Sequence, residues 1–268
     1  MASGSELQPN KETGWQRGFK QLLARENNGW WKSRRSIMQI LIYLLVLNGI
    51  MLAVLNAPGG PSGQATVSAA QKVALALPLF ITLAGLFPVI SVVIIGQDAI
   101  IGEKQSGTAA WILSKPVSRQ AFILAKLVAH SLAFFVNIAV IQGAAAYIIL
   151  SLTLGEPLPV FSFIGGILLV FLNLLFYISL SLMLGVLFEQ RGGVIGIGLA
   201  LGFGYQIITG FAPWTSNIMP WGLIGEGGLA SAVMSGQTPS TYLPLIATLA
   251  WCLIFTFVAL WRFEKAEF

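Results

Sequence analysis

The chain has 268 residues, of which 56% are hydrophobic and 9% charged, with a mean hydropathy of +0.81. That composition excludes a single water-soluble core and makes lipid the solvent for much of the surface. The net charge of +5 would suit nucleic acid only if basic residues gathered on one soluble face; here they flank apolar runs, so nucleic acid is not an expected partner. A lone cysteine, Cys252, excludes a disulfide framework and a cysteine-built metal site.

Residues 1–36 read as a cytoplasmic tail and an amphipathic helix. The start of the chain is polar, with no short apolar stretch closed by small residues, so the first span is expected to act as the insertion signal. On helical spacing Trp15, Phe19, Leu22, Leu23 and Trp30 share one face and Arg17, Lys20, Gln21 and Arg25 the other. Glu26 is the exception on the apolar side. This pattern reads as a helix lying in the cytoplasmic interface and leading into the first span, the alternative being an amphipathic helix docked on protein.

Residues 37–268 form the transmembrane unit. A hydrocarbon core of about 30 Å needs about 20 helical residues, and six stretches qualify: 37–57, 73–96, 121–152, 163–188, 194–211 and 243–261. Hydrocarbon offers exposed amides no partner, and no alternation of β-barrel type is present, so the expected fold is all-α with six transmembrane helices. Of the 15 basic residues, 14 fall on one side and only Lys72 on the other. The positive-inside rule therefore places both termini in the cytoplasm of a multi-pass plasma (bacterial inner) membrane protein.

Within the spans, Pro78 and Pro88 are expected to bend the second helix. The fifth carries seven glycines between positions 192 and 210, which suit close helix contact or flexing, although glycine is common in membrane helices generally. Asn48, Asn137, Gln142 and Asn173 are costly in lipid and are expected to face other helices or a polar path; Asn137, Gln142 and Asn173 are accordingly candidates for a translocation path or gate. His130, the single histidine, stands beside Ser131 and reads as a hydrogen-bonded packing residue, not a metal ligand. The connection 212–242 is too apolar for a solvated loop and too broken for a span. It reads as short helices re-entering the outer interface, anchored by Trp214 and Trp221. Glu226, among glycines in that segment, either projects into external water or lines the outer mouth of the path.

The sequence holds no phosphate-binding loop, no H-E-x-x-H and no nucleophile elbow. No catalytic residue, cofactor or metal site is expected in the chain. The richest cytoplasmic stretch is 97–126, QDAIIGEKQSGTAAWILSKPVSRQAFILAK. Charged Asp98 and Glu103 open it; Ser106, Gly107 and Thr108 break the helix; a short apolar segment follows; Pro116 turns the chain, and Arg119 precedes the third span. Such a segment is either a short helix on which a soluble partner can push or a charged loop that fixes topology.

The motif D-x-I-x-G-E-x-x-S-G-T, then L-S-x-P-V-S-R and a Lys in the next span, resembles the signature of ABC-2-type permeases, the membrane subunits of a class of bacterial ABC exporters. Six spans, an amphipathic helix before the first and a hydrophobic re-entrant segment before the last match that family over nearly the whole chain. The resemblance implies a pair of permeases and a separate dimeric ATPase that binds ATP and Mg. It also implies that Asp98, Glu103, Ser106, Gly107, Thr108, Pro116 and Arg119 couple the two. No outer connection exceeds about thirty residues, unlike members with large external domains, which favours a compact exporter of an amphipathic drug, peptide or lipid. A secondary ion-coupled carrier would need titratable groups at depth, and a lipid-modifying enzyme would need clustered acids or histidines; neither pattern is evident.

Overall fold

The computed structural model describes residues 14–57, 68–225 and 227–265, and the regular elements among them are all helical. A 3₁₀ turn at Gly14–Gln16 leads into α1 (Phe19–Trp31). Five long helices follow: α2 (Arg34–Asn56), α3 (Ala69–Gln105), α5 (Arg119–Leu154), α6 (Val160–Leu187) and α11 (Leu243–Glu264). Between α3 and α5 stands the short α4 (Thr108–Leu113). After α6 come α7 (Arg191–Phe203), α8 (Tyr205–Phe211), a 3₁₀ turn at Pro213–Asn217, α9 (Trp221–Ile224) and α10 (Leu229–Met234).

The most apolar stretch of α6 is 78% buried, against 22% in α2 and 28% in α11. Since the sequence makes all three apolar, burial separates their roles: α6 is the post around which α3, α5, α7, α10 and α11 pack, and the others turn large faces to lipid. On α7, Gly198 and Gly202 press against Val93 and Val89 of α3, where any Cβ would collide, so close approach requires glycine there.

Two boundaries differ from expectation. The second span does not stop at 96: α3 runs unbroken through Pro78 and Pro88, widens into a π turn over Asp98–Gly102 and ends only at Gln105. The fifth apolar stretch is not one helix but the pair α7 and α8, bent by 58° at Gly204. α7 begins beside the lower end of α3, where Arg191 reaches Asp98, and the segment after α8 lies beside the upper part of α11, where the Trp251 indole donates to the Ile218 carbonyl at 2.9 Å. Counted as one span, the broken pair brings the candidate spans among the described residues from five to six.

The break exposes carbonyls that no helical amide can reach. Leu201 O is one of them, and it accepts the Trp221 indole N–H at 3.0 Å and the Tyr177 hydroxyl at 3.4 Å. Trp221 is therefore a buried anchor in the protein and not an interfacial one, whereas Trp214 is 63% exposed. The segment carrying α9 and α10 folds back onto α6 and α3, and Ile224 O accepts from Thr82 at 3.4 Å. Thr82 lies 13 residues beyond Ala69, roughly 20 Å along its helix.

The intramembrane amides tie helices together. Asn48 Nδ2 donates to Gln142 Oε1 at 2.8 Å, Gln142 Nε2 to Ile40 O at 3.2 Å, and Asn173 Nδ2 to Gly85 O at 2.8 Å. Asn48, Asn137 and Gln142 belong to π turns at Leu44–Asn48 and Phe135–Gln142, where the widened backbone brings polar side chains inward. A double-mutant cycle of Asn48→Leu and Gln142→Leu, read by denaturation in mixed micelles, should give a coupling of about 0.6 to 1.7 kcal/mol; additive losses would mean that the pair does not join α2 to α5.

Candidate functional site

At one end of the bundle α1, the α3–α4–α5 connection, the α6–α7 turn and the end of α11 meet. Ser118 caps α5, its Oγ accepting from the Ala121 amide at 2.9 Å, and its own N–H donates to Arg17 O at 3.0 Å. Gly107 takes φ +71°, a left-handed turn that glycine reaches without Cβ strain; it separates α3 from α4. Ser106 Oγ and Thr108 Oγ1 share a hydrogen bond of 2.8 Å across the same turn.

Ala109 and Ile112 of α4 are buried, while Trp111 is 60% exposed. Lys115 Nζ sits 3.6 Å from the centre of the Trp111 ring, a cation–π contact that steadies both side chains. α4 therefore rests on the bundle by one face and offers Trp111, Lys115 and the exposed Pro116 outward.

Behind this surface lies a charge cluster. The Lys126 side chain is only 2% exposed, and its ammonium lies 2.9 Å from Glu26 Oε1 and 3.0 Å from Glu103 Oε2. It also stands over the Phe122 ring at 4.7 Å. Arg25 reaches Glu103 at 3.7 Å; because that guanidinium is nearly half exposed, water screens it and it adds little. Lys126 has one carboxylate from α1 and one from α3, so three elements close on a single buried cation. A buried charge of this kind demands such partners.

A second set of contacts joins α3 to the turn after α6. Lys104 Nζ donates to Gly185 O at 3.3 Å and Val186 O at 3.0 Å. These are last-turn carbonyls of α6, whose negative dipole end favours a cation. Gln105 Nε2 donates to Glu189 O and Arg191 Nε to Gln105 Oε1, each at 3.3 Å, and Asp98 pairs with Arg191 at 3.5 Å. Arg119 NH1 donates to Glu264 O at 2.7 Å, which fastens α5 to the end of α11.

The residues singled out from the sequence thus divide. Ser106, Gly107, Thr108 and Pro116 lie around α4; Glu103 stands in the cluster behind it; Asp98 and Arg119 tie the handle to α7 and α11. Asp98 and Glu103 have separate partners and form no acid pair. Asn137, Gln142 and Asn173 are buried between helices, and Glu226 lies outside the described residues. His130 packs edge-to-face on Trp30, ring centres 6.0 Å apart, but its Nδ1 and Ser131 Oγ are buried without a hydrogen-bond partner among the described residues, so the hydrogen bond expected of it is missing at that nitrogen.

Sequence reasoning did not single out Lys126, Glu26, Trp111 or Lys115 as site residues. The signal for the first two was present: Glu26 is the one acid on an otherwise apolar helix face, and Lys126 a cation just inside a span. The Lys126→Met variant should lose about 3 kcal/mol, the low end for removing one partner of a buried pair because both carboxylates keep some water contact. It should also speed hydrogen exchange in α1. Adding Glu26→Gln and Glu103→Gln should restore most of both; unchanged exchange in the single variant would mean the cluster does not hold α1.

The sequence matches none of the curated proteins with which it was compared. It does match the family described as ABC-2 family transporter protein, over residues 27–268. That match runs from the last residues of α1 to the end of the chain and takes in Lys126 and its α3 partner Glu103, starting one residue after Glu26. The chain therefore belongs to the ABC-2 transporter family, as the multi-pass membrane permease component of an ABC transporter.

Proposed function

We propose that the chain is the permease subunit of an ATP-driven exporter and that α4 is the handle by which a separate ATPase dimer moves it. The observation that carries this reading is the outward pair Trp111 and Lys115 on a short helix seated on the bundle. An exposed tryptophan steadied by a cation, far from any lipid-spanning face, suits a protein partner. ATP and Mg belong to that partner. The 14-to-1 asymmetry of basic residues supports a cytoplasmic position for this end of the bundle and for both termini.

In this mechanism closure of the ATPase dimer pushes α4, and α3, α5 and α1 follow as one body because Lys126 binds all three. The buried amides keep α2 with α5 and α3 with α6, so motion concentrates where the ladder is already broken, at Gly204 and in the π turns. Asn137, Gln142 and Asn173 then serve the path by fixing the helices that wall it. The apolar walls favour an amphipathic cargo such as a drug, peptide or lipid.

A second copy of the chain completes the path. α7 supports this with two different faces: Gly198 and Gly202 turn inward to α3, whereas Gly192, Gly196 and Ala200 are exposed, and a Cβ at 192 or 196 would meet nothing within 4 Å. Small residues four apart let helices approach closely in lipid.

Two outcomes test these statements. Trp111→Glu with Lys115→Ala should abolish co-purification with the ATPase and the permease-dependent part of its hydrolysis, while the exposed site leaves the bundle folded; normal assembly and transport would reject α4 as the handle. In a Cys252→Ser background, Gly196→Cys should form disulfide-linked dimers on mild oxidation in membranes. A control at lipid-facing Leu253, also changed to Cys, should not, and equal cross-linking of both would remove α7 as the contact.

A further inference from the structure

A groove of about 580 Å³ runs along the outside of the bundle at the end that carries α1 and α4. It lies beside the contact of α5 and α11, where Phe122 and Phe263 stack at 5.1 Å with planes 3° apart. Leu124 and Val128 form one wall and Phe257, Leu260 and Trp261 the other. Trp15 and Phe19, edge-to-face at 5.6 Å, overhang its end. The overhang is held in place, since Ser118 N–H donates to Arg17 O.

The chemistry changes sharply along this groove. Its walls are aliphatic and aromatic apart from Gln120, and Phe257 is 68% exposed. Charge flanks it at Trp261 and Glu264: Lys265 Nζ stands 4.2 Å from the centre of the Trp261 ring, and the Arg119 guanidinium holds the Glu264 carbonyl. Arg262 is exposed on the helix that bears Trp261, while Arg17 and Lys20 lie on the opposite face of the segment that bears Trp15 and Phe19. Lys265 and Arg119 flank the groove, and the one charged side chain that lines it is the exposed carboxylate of Glu264. No glycine, alanine or serine lines it, unlike a surface shaped for a second helix.

We propose that the groove is a site for one anionic phospholipid. An acyl chain lies between α5 and α11, and the phosphate meets Lys265 and its cationic neighbours beneath the Trp15 and Trp261 rings, which sit at headgroup level as aromatic belts do. The occupant bridges α1, α5 and α11, three elements that the coupling reading moves, but the site stands on the groove alone and does not require that reading.

The test needs no ATPase. The full chain is reconstituted in phosphatidylcholine vesicles holding a minor fraction of phosphatidylglycerol, with dibrominated chains placed on one lipid or the other, and tryptophan quenching is compared. Brominated phosphatidylglycerol should quench well beyond its share of the bilayer. Lys265→Gln should lower that preference about fivefold, which is what roughly 1 kcal/mol per basic residue near an anionic headgroup amounts to. Leu124→Phe with Val128→Phe, which fills the groove without touching its charge, should abolish the excess quenching. Quenching by each lipid in proportion to its share of the bilayer, or a preference unchanged in both variants, would overturn the site. Disulfide-linked dimers from Val128→Cys in the Cys252→Ser background would also overturn it, by showing a second copy in the groove. Absence of this preference in the unsubstituted chain with ATPase coupling intact would refute the lipid site and leave the coupling reading standing, and the converse result would do the reverse.

Discussion

Lys126 is a cation that the sequence places within a transmembrane helix and the fold buries almost completely, and the constraint it imposes organises one end of the molecule. Such a charge is tolerable only beside carboxylates brought from elsewhere. Glu26 and Glu103 meet that demand from α1 and α3. Once they have done so, the amphipathic helix can no longer drift in the interface, and the long extension of α3 cannot splay from α5. The handle α4 inherits its position from this arrangement, because it hangs between the two helices that the cation joins.

The opposite end is organised by a break. The bend between α7 and α8 frees Leu201 O, and the indole of Trp221 answers it from a segment that the chain has folded back into the bundle. The two ends differ in kind: one is a tight electrostatic knot, the other a hydrogen-bonded patch over a bent helix rich in glycine. In the proposed mechanism a force applied at the knot is passed on rigidly, and the bundle yields at the bend.

Much of this was legible in the sequence because lipid leaves so little choice. Six apolar stretches, the 14 basic residues on one side and the motif that ends at Arg119 identify the class. What escaped notice depends on pairing across distance. Glu26 and Lys126 are 100 residues apart, and each alone reads as an oddity. The end of α3 was set too early because the hydropathy falls at Gln97 while the backbone hydrogen bonds continue, through a π turn, to Gln105. The bend at Gly204 hid among other glycines, since nothing local distinguishes it from Gly198 or Gly202, which serve packing. Trp221 looked like an interfacial anchor because its partner is a carbonyl, which sequence does not show as free.

The central claim is that α1, α3 and α5 move as one lever around the buried cation. Spin labels at Lys20→Cys and Ala110→Cys in the Cys252→Ser background, with labelled subunits diluted by unlabelled ones, report the distance between α1 and α4 by pulsed electron resonance. A second pair, Ala110→Cys with Gln237→Cys, spans the bundle. Between the nucleotide-free and ATP-bound states of the assembled transporter, the account predicts an unchanged α1-to-α4 distance and a shifted distance across the bundle. A change between α1 and α4 as large as that across the bundle would contradict it.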